Sequence, residues 1–310
     1  MQRDSAGPSA GAVPCMSPGP YNYTTGRVFK DSFYDRHPAR TVPARRGPGH
    51  ARAPGASIRQ MKPNISIIIP VYNGAPVIRE NALKVLEYAG GIGVPVELVI
   101  VNDGSTDSTG AEVLSIKDPR VRLIENERNR GKGFSVKRGM MEATGEYRVF
   151  FDADLAYPVE QTEKLLAGLR EGYDVVIGSR VHEGSRFILH CSDLRYIFRR
   201  HLLSRAFNSF LRLFLLKDIH DTQSGFKGFT EEAAEYIFPR QESSDFSFDI
   251  EVLFIAQKAG FRIKEVPVTM EYHGGPSAVR MVGDSTSMFL RAARIWLKNL
   301  TGGYRLKRVK

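Results

Sequence analysis

The sequence predicts an α/β fold, a mostly parallel sheet flanked by helices in one domain. Three observations predict it. Short, nearly all-apolar runs recur along the chain, as in strands covered on both faces. Helical stretches of about ten to fifteen residues separate these runs, the order that needs crossover connections and parallel strands. The unusual polar residues (Tyr72-Asn73, Asp103, Asp152, Asp154, Ser179-Arg180) follow the apolar runs. That places them at the carboxyl ends of strands, where open α/β sheets bind ligands.

Taken in order, Ile65-Ser66-Ile67-Ile68-Ile69-Pro70 is an apolar run closed by proline and reads as a central strand. A helix is expected over 76–88. Val96 to Val101 is a second buried strand, running into the turn Asn102-Asp103-Gly104-Ser105-Thr106-Asp107, which opens a helix near Ser105. Val121 to Glu125 is a third strand, and Gly131 to Thr144 a helix behind a glycine-rich loop. Arg148 to Phe151 and Asp174 to Gly178 are the fourth and fifth strands, with a helix over 159–171 between them. Beyond Arg180 the pattern changes. Residues 193–217 alternate Arg and His with Leu, Phe and Ile as a basic amphipathic helix does. Asp221 to Phe226 is a polar turn. Helices are expected over 230–237 and 247–259, a strand over 261–272, and a helix over 281–300 before a basic tail.

Three regions follow: an extension over 1–62, a catalytic-type domain over 63–280, and a C-terminal helix and tail over 281–310. The extension is rich in Pro, Gly, Ala, Ser and Arg and lacks apolar periodicity, apart from aromatics at Tyr21, Tyr23, Phe29, Phe33 and Tyr34. Such a composition cannot bury enough surface to offset its ordering entropy, so disorder is expected there. It serves either as a basic arm against a membrane or as a passive tail. The chain has 310 residues, 42% hydrophobic and 25% charged, with a net charge of +10 that favours anionic partners. No run of eighteen apolar residues is present, and the N-terminus lacks the apolar core of a secretory signal. Cys15 and Cys191 have no metal-ligand spacing and fit a reducing cytoplasm.

The chemistry-bearing residues can be read physically first. Asp152 and Asp154 end an apolar strand one residue apart. In an extended chain they leave on the same side, as hard oxygen donors suited to a Mg²⁺ or Mn²⁺ that also holds phosphate oxygens. The plain alternative is a polar strand end before a turn at Pro158. Asp103 either accepts hydrogen bonds from a nucleobase or ribose, or caps the helix behind it. Lys132, between glycines and ahead of a helix, can reach a base or a phosphate. The Arg180 fork suits phosphate. Arg200 and Ser204 lie one helical turn apart, either on a ligand or on a solvated basic face. Asp249 and Glu251 share a helix but not a face, and one of them is a candidate base. His182, His190 and His273 are isolated and read as surface residues.

SIIIPVYN (Ser66 to Asn73), VNDGST (Val101 to Thr106), NRGKG (Asn129 to Gly133), FDADL (Phe151 to Leu155), Gly178-Ser179-Arg180, Asp221 to Phe226 and Phe248 to Glu251 occur in the order seen in family 2 glycosyltransferases. Over roughly residues 64–290 the chain most resembles the polyprenyl-phosphate (dolichyl-phosphate) glucosyl- and mannosyltransferases of that family. The resemblance implies a glycosyltransferase A-type, Rossmann-like fold and an inverting, metal-dependent transfer of a hexose from UDP or GDP to a polyprenyl phosphate. Pro70, Tyr72, Asn73 and Asp103 would line the nucleotide pocket. Asp152 and Asp154 would be the DxD metal pair, with Lys132, Arg180 and Arg280 on the donor's phosphates. Arg200 and Ser204 would bind the acceptor phosphate, and Asp221 would act as base, orient the acceptor or serve a structural role.

Two departures stand out. Gly74 replaces an expected Glu, putting a ribose contact in doubt, and Ala156 replaces a polar residue near the metal. A phosphate monoester acceptor is already anionic and needs little base catalysis, whereas an alcohol needs a base. The expected site of action is cytoplasmic, peripheral on the cytoplasmic membrane face through the 193–217 and C-terminal helices. The alternatives are the same donor chemistry on a soluble acceptor, and a basic nucleic-acid-binding protein. The acidic strand ends and the lack of a nucleic-acid motif oppose the last of these.

Overall fold

The computed structural model describes residues 63–188, 211–212, 215–271, 283–304 and 306. The elements are β1 (Ile65–Val71), α1 (Ile78–Gly91), β2 (Val96–Asn102), α2 (Thr109–Leu114), β3 (Val121–Glu125), α3 (Lys132–Glu142), β4 (Tyr147–Phe151), α4 (Thr162–Arg170, entered through a 3₁₀ turn at Val159–Gln161), β5 (Val175–Ser179) and β6 (Arg186–Ile188). Then come β7 (Phe226–Thr230), α5 (Glu231–Ile237), α6 (Phe248–Ala259), β8 (Ile263–Pro267), β9 (Thr269–Glu271) and α7 (Gly283–Leu300).

Among the described residues, seven strands form one sheet in the order β3-β2-β1-β4-β7-β5-β8. All neighbours are parallel except β7, which runs antiparallel to both β4 and β5. β6 and β9 make a separate parallel pair. Strand β1 shows why the sheet is central. Its alternate residues Ile65, Ile67, Ile69 and Val71 join the apolar layer that holds Ile78, Ala82 and Val85 of α1 and Leu165 and Leu166 of α4. Ile68 joins the opposite layer, with Val136 and Met140 of α3 and the buried side of α6. A strand buried on both faces needs this unbroken apolar run. Each fully buried Ile contributes roughly 1.5–3 kcal/mol.

The structure corrects several expectations. The strand β7 was not foreseen: Phe226-Lys227-Gly228-Phe229-Thr230 lies in the middle of the sheet although its sequence reads as the end of a polar turn. The strand expected over 261–272 is two strands in two sheets, β8 and β9. The helix expected near Ser105 begins at Thr109, where Asp107 Oδ1 accepts from the Thr109 amide (3.0 Å). Asp103 therefore does not cap it. The basic helix expected over 193–217 lies outside the described residues except for 211–212 and 215–217, as does the extension over 1–62.

Candidate active site

The strand β4 delivers Asp152 and Asp154 to the carboxyl edge of the sheet, but not in extended form. The chain turns at once. The Leu155 amide donates to Asp152 O (3.0 Å), and Leu155 takes φ +46°, a left-handed conformation that costs a branched side chain energy. Asp154 Oδ1 accepts from the Ala156 amide (3.1 Å). The two carboxylates are thus neighbours in one tight turn, correcting the expectation that strand periodicity aims them. Asn81 on α1 holds this turn from below, donating to Ala153 O (2.7 Å).

Asp152 Oδ1 receives Lys132 Nζ at 2.5 Å. Its other face meets Gly225: a Cβ at that position would lie 1.9 Å from Asp152 Oδ2. The absent side chain at 225 is the space the carboxylate occupies. Lys132 is only 19% exposed. Burial opposes its charge, but the carboxylates of Asp152, Asp249 and Asp154 outweigh burial and raise its pKa above the ordinary lysine value. Lys132, expected on a base or phosphate, here rests on the Asp152 carboxylate.

Asp103 is buried and accepts from the Arg130 amide (2.9 Å), the Gly131 amide (2.8 Å) and Asn126 Nδ2 (2.7 Å). Its role in the structure is to hold the loop that carries Lys132. Asn73, at φ +51°, spends its polar groups on the neighbouring loop: its amide donates to Ser105 Oγ (2.9 Å), and its Oδ1 accepts from the Thr106 amide (2.8 Å). Pro70 is buried within β1, whereas Tyr72 is 48% exposed beside this edge.

On the far side of β7, Arg180 and Asp221 form a bidentate pair. Arg180 Nε and Nη2 reach Asp221 Oδ2 and Oδ1, each at 2.7 Å, and the Arg180 amide adds a third bond at 2.8 Å. Burial alone would push the Asp221 carboxyl up, but the guanidinium outweighs burial and holds it below the usual carboxylate range. A carboxylate so depressed, with both oxygens taken, is a weak proton acceptor, which corrects the expectation of a base at 221. The carboxylates at 249 and 251 are also engaged within the protein. Asp249 pairs with Lys227 (2.5 Å), and Glu251 accepts two backbone amides and a phenol. Ser179 is buried, and its hydroxyl has no hydrogen-bond partner among the described residues.

Sequence reasoning missed two residues. Lys227 is fully buried in β7, bonded to Ser224 O (2.6 Å) and to Asp249. Burial pushes its ammonium down and the Asp249 carboxyl up. Tyr157 is buried against Phe226 (centroids 5.3 Å apart), its hydroxyl accepts from Ser224 Oγ (3.2 Å), and burial pushes it up to about 12. A lysine in a short run otherwise made of Phe, Gly and Thr was the available signal for the first. Arg200, Ser204 and Arg280, with His190 and His273, lie outside the described residues. His182 is exposed, as expected.

The arrangement concentrates four carboxylates (Asp152, Asp154, Asp221, Asp249) and three cations (Lys132, Arg180, Lys227) along neighbouring strand ends. Asp152 and Asp154 are hard oxygen donors within one turn. Two carboxylates suit a Mg²⁺- or Mn²⁺-type ion whose other ligands are water and phosphate oxygens. No group of three or more metal-ligating side chains occurs among the described residues. The donor set fits a metal site shared with phosphate oxygens of a substrate.

Residues 66–238 match the model of glycosyl transferase family 2. The dolichyl-phosphate beta-glucosyltransferase of Dictyostelium discoideum is 34% identical over 258 residues, covering 78% of this chain and 77% of that protein. The human enzyme of the same name is 31% identical, with 79% of each chain covered. Glycosyltransferase AglD of Haloferax volcanii is 33% identical over 82% of this chain, which spans 39% of its length. Among solved structures, glucosyl-3-phosphoglycerate synthase of Mycobacterium tuberculosis with uridine diphosphate superposes with a TM-score of 0.55 at 19% identity, covering 79% of this chain and 86% of that one. The same enzyme with Mn²⁺, UDP-glucose and phosphoglyceric acid gives 0.53 at 18%, covering 81% and 86%. At those identities the likeness is one of fold.

Proposed function

This chain belongs to glycosyl transferase family 2 and is a hexosyltransferase, and from that premise we propose that it moves glucose or mannose from a UDP- or GDP-sugar onto a dolichyl or other polyprenyl phosphate, with inversion. The observation that carries the donor half is the strand-end cluster of Asp152, Asp154, Lys132 and Arg180 around the Gly225 contact. The names of the relatives, dolichyl-phosphate beta-glucosyltransferase in several organisms, support the acceptor half.

The charge balance bears on the metal. Four carboxylates against three cations leave the cluster negative, and a diphosphate would not settle there unaided. A divalent ion held by Asp152 and Asp154 would reverse that sign and stabilise the charge that develops on the departing nucleoside diphosphate. The remaining steps belong to the chain's own residues. Lys132 exchanges its contact with Asp152 for a phosphate oxygen and so neutralises the leaving group. Arg180 keeps its Nε and Nη2 edge on Asp221, which fixes the guanidinium in place, and offers phosphate its remaining N–H donors. Asp103 keeps the Lys132 loop closed. The acceptor phosphate attacks the anomeric carbon in line as an anion, which agrees with the absence of a free base among Asp221, Asp249 and Glu251.

No helix among the described residues is long and apolar enough to cross a membrane. The outward side of α7, where Leu290, Leu297 and Leu300 are exposed, is the surface that fits a membrane presenting a lipid phosphate. One experiment tests the reading. The protein, with Mg²⁺ or Mn²⁺, is given UDP- and GDP-hexoses with and without a polyprenyl phosphate, and product masses and lipid-phase label are measured. Hexosyl polyprenyl phosphate is expected. Label confined to the aqueous phase on a small acceptor would move the assignment to a soluble substrate.

A further inference from the structure

The loop that carries Lys132 is braced from behind by a second loop, and that loop is in turn braced by the C-terminal helix. Gly131 has φ +94°, and a Cβ there would lie 2.5 Å from Ser244 O, so the backbones of the two loops touch. The Phe134 amide donates to Ser244 O (3.0 Å), and Gln241 Nε2 donates to Gly133 O (2.9 Å). Residues 241–245 thus form the wall against which the Lys132 turn is set.

Three tethers from the C-terminal region converge on that wall. Arg291 pairs with Asp245 and Lys298 with Glu242. The third tether runs through a buried carboxylate. Glu251 Oε2 accepts the Glu242 amide (2.9 Å) and the Ser243 amide (2.6 Å), while Oε1 accepts the Tyr304 hydroxyl (2.6 Å). Tyr304 is 6% exposed, its ring is edge-on to Phe254 (5.2 Å between centroids), and Lys298 Nζ lies over it at 4.6 Å.

We propose that α7 and Tyr304 form a strap that positions the Lys132 loop for the donor, with Tyr304 and Glu251 as positioning residues. The inference rests on the reading that Lys132 serves the donor's phosphates. It adds that donor affinity is set partly from the C-terminus, through the Tyr304–Glu251–Ser243–Ser244–Phe134 chain of contacts. The same helix carries the exposed Leu290, Leu297 and Leu300. A surface that engages that side would therefore act on the donor loop by way of the three tethers.

The test uses the full chain and Tyr304→Phe, which keeps the ring and removes only the hydroxyl. Hydrogen exchange of peptides covering 130–134 and 241–245 is read first and does not depend on activity. Tyr304→Phe is expected to speed exchange in both segments about tenfold, the factor that one hydrogen bond to a carboxylate contributes to local opening. Exchange in β1 and α1 should stay unchanged. In the transfer assay the donor KM should rise about five- to tenfold, with kcat within twofold. Lys298→Ala, at the protein surface, should do the same more weakly. Asn299→Ala removes the Lys258–Asn299 bond, which ties α7 to α6 and not to the wall, and should change neither readout. Unchanged exchange at 130–134 in Tyr304→Phe would overturn the strap, as would an equal effect from Asn299→Ala. If the exchange coupling holds while the wild-type chain transfers no sugar, the donor reading fails and the strap stands.

Discussion

At the amino ends of β1 and β2, the buried carboxylate of Glu97 accepts from Ser66 Oγ (2.5 Å), the Thr144 amide (2.7 Å) and Thr144 Oγ1 (3.0 Å), and Arg122 reaches it at 3.2 Å. At the carboxyl ends, Asp152 has Lys132 on one oxygen and the bare Cα of Gly225 against the other. Both are carboxylates at the edge of one sheet, yet they are satisfied differently. Glu97 is met mostly by neutral donors fixed to the backbone, and nothing there has to move. Asp152 is met by Lys132 and Asp221 by Arg180, cations that an anionic ligand could take over, while the Lys227–Asp249 pair is closed inside the fold. A network of fixed neutral donors contributes stability. A network of paired charges, four carboxylates against three cations, carries net negative charge and suits a site that must bind and release phosphate.

The sharpest way to break that contrast is to neutralise one acid at each end. Asp152→Asn or Asp154→Asn is expected to lower kcat/KM for hexosyl transfer by about 10²–10³-fold, the scale of losing one preorganised electrostatic contact. Its melting temperature should remain close to that of the parent, as read by calorimetry. Glu97→Ala should do the reverse. It leaves the Ser66 hydroxyl and the Thr144 amide without their acceptor and should cost about 2–3 kcal/mol in a urea titration, with transfer by the folded protein unchanged. If Glu97→Ala abolished transfer at full stability, the two ends would not be distinct.

A smaller effect sharpens the geometry. Gly225→Ala pushes a methyl group to where Asp152 Oδ2 sits, and the carboxylate must swing away. A loss of about tenfold in kcat/KM is expected, reported by the same product assay, because misplacement of about 1 Å at a reacting centre can cost even more. Parent-like turnover would show that Asp152 does not need that space.

The smallest effect is the pH dependence of stability. Burial pushes the Glu97 carboxyl up, but the Ser66 hydroxyl, Thr144 and Arg122 together hold it below the free-glutamate value of 4.5. Asp221 likewise lies below the free-aspartate value of 3.8 because Arg180 outweighs burial. Both contribute stability that is present above those values. As pH falls through them, the unfolded chain takes up protons before the native one does, and stability drops. Thermal melts should be flat with respect to these two groups above pH 4.5 and fall below it. Glu97→Gln should soften the fall. An unchanged acid limb in that variant would remove Glu97 from the account.

The sequence made the parallel half of this molecule readable because each of its strands is a local apolar run. Ile65 to Val71 and Val96 to Asn102 declare themselves without reference to anything distant. The strand β7 does not, since Lys227 interrupts its pattern and is made tolerable only by Asp249 on another element. The site shows the same division. The order of acidic and basic motifs pointed to the strand ends, but which cation meets which acid was not legible. The turn closed by the Leu155 amide on Asp152 O takes Asp154 out of strand register, and Asp103 is consumed by the amides of a loop nearly thirty residues on. The C-terminal bracing of the Lys132 loop was hidden for the same reason, because Tyr304 and Glu251 meet only in three dimensions.

The antiparallel strand β7 has a consequence for how the chain reaches this structure. Among the described residues, the strands β4 and β5 make no ladder with each other, and β7 alone joins them. A nascent chain can assemble β1 to β4 as soon as they leave the ribosome, while β5 has no hydrogen-bonding neighbour until Phe226 to Thr230 follow. The edge of β4 therefore stays unpaired through synthesis of the long stretch between them. Long-range closure of this kind slows folding and leaves a strand edge open to other chains in the interval. Expression yield and aggregation should accordingly be most sensitive to substitutions in the five residues of β7.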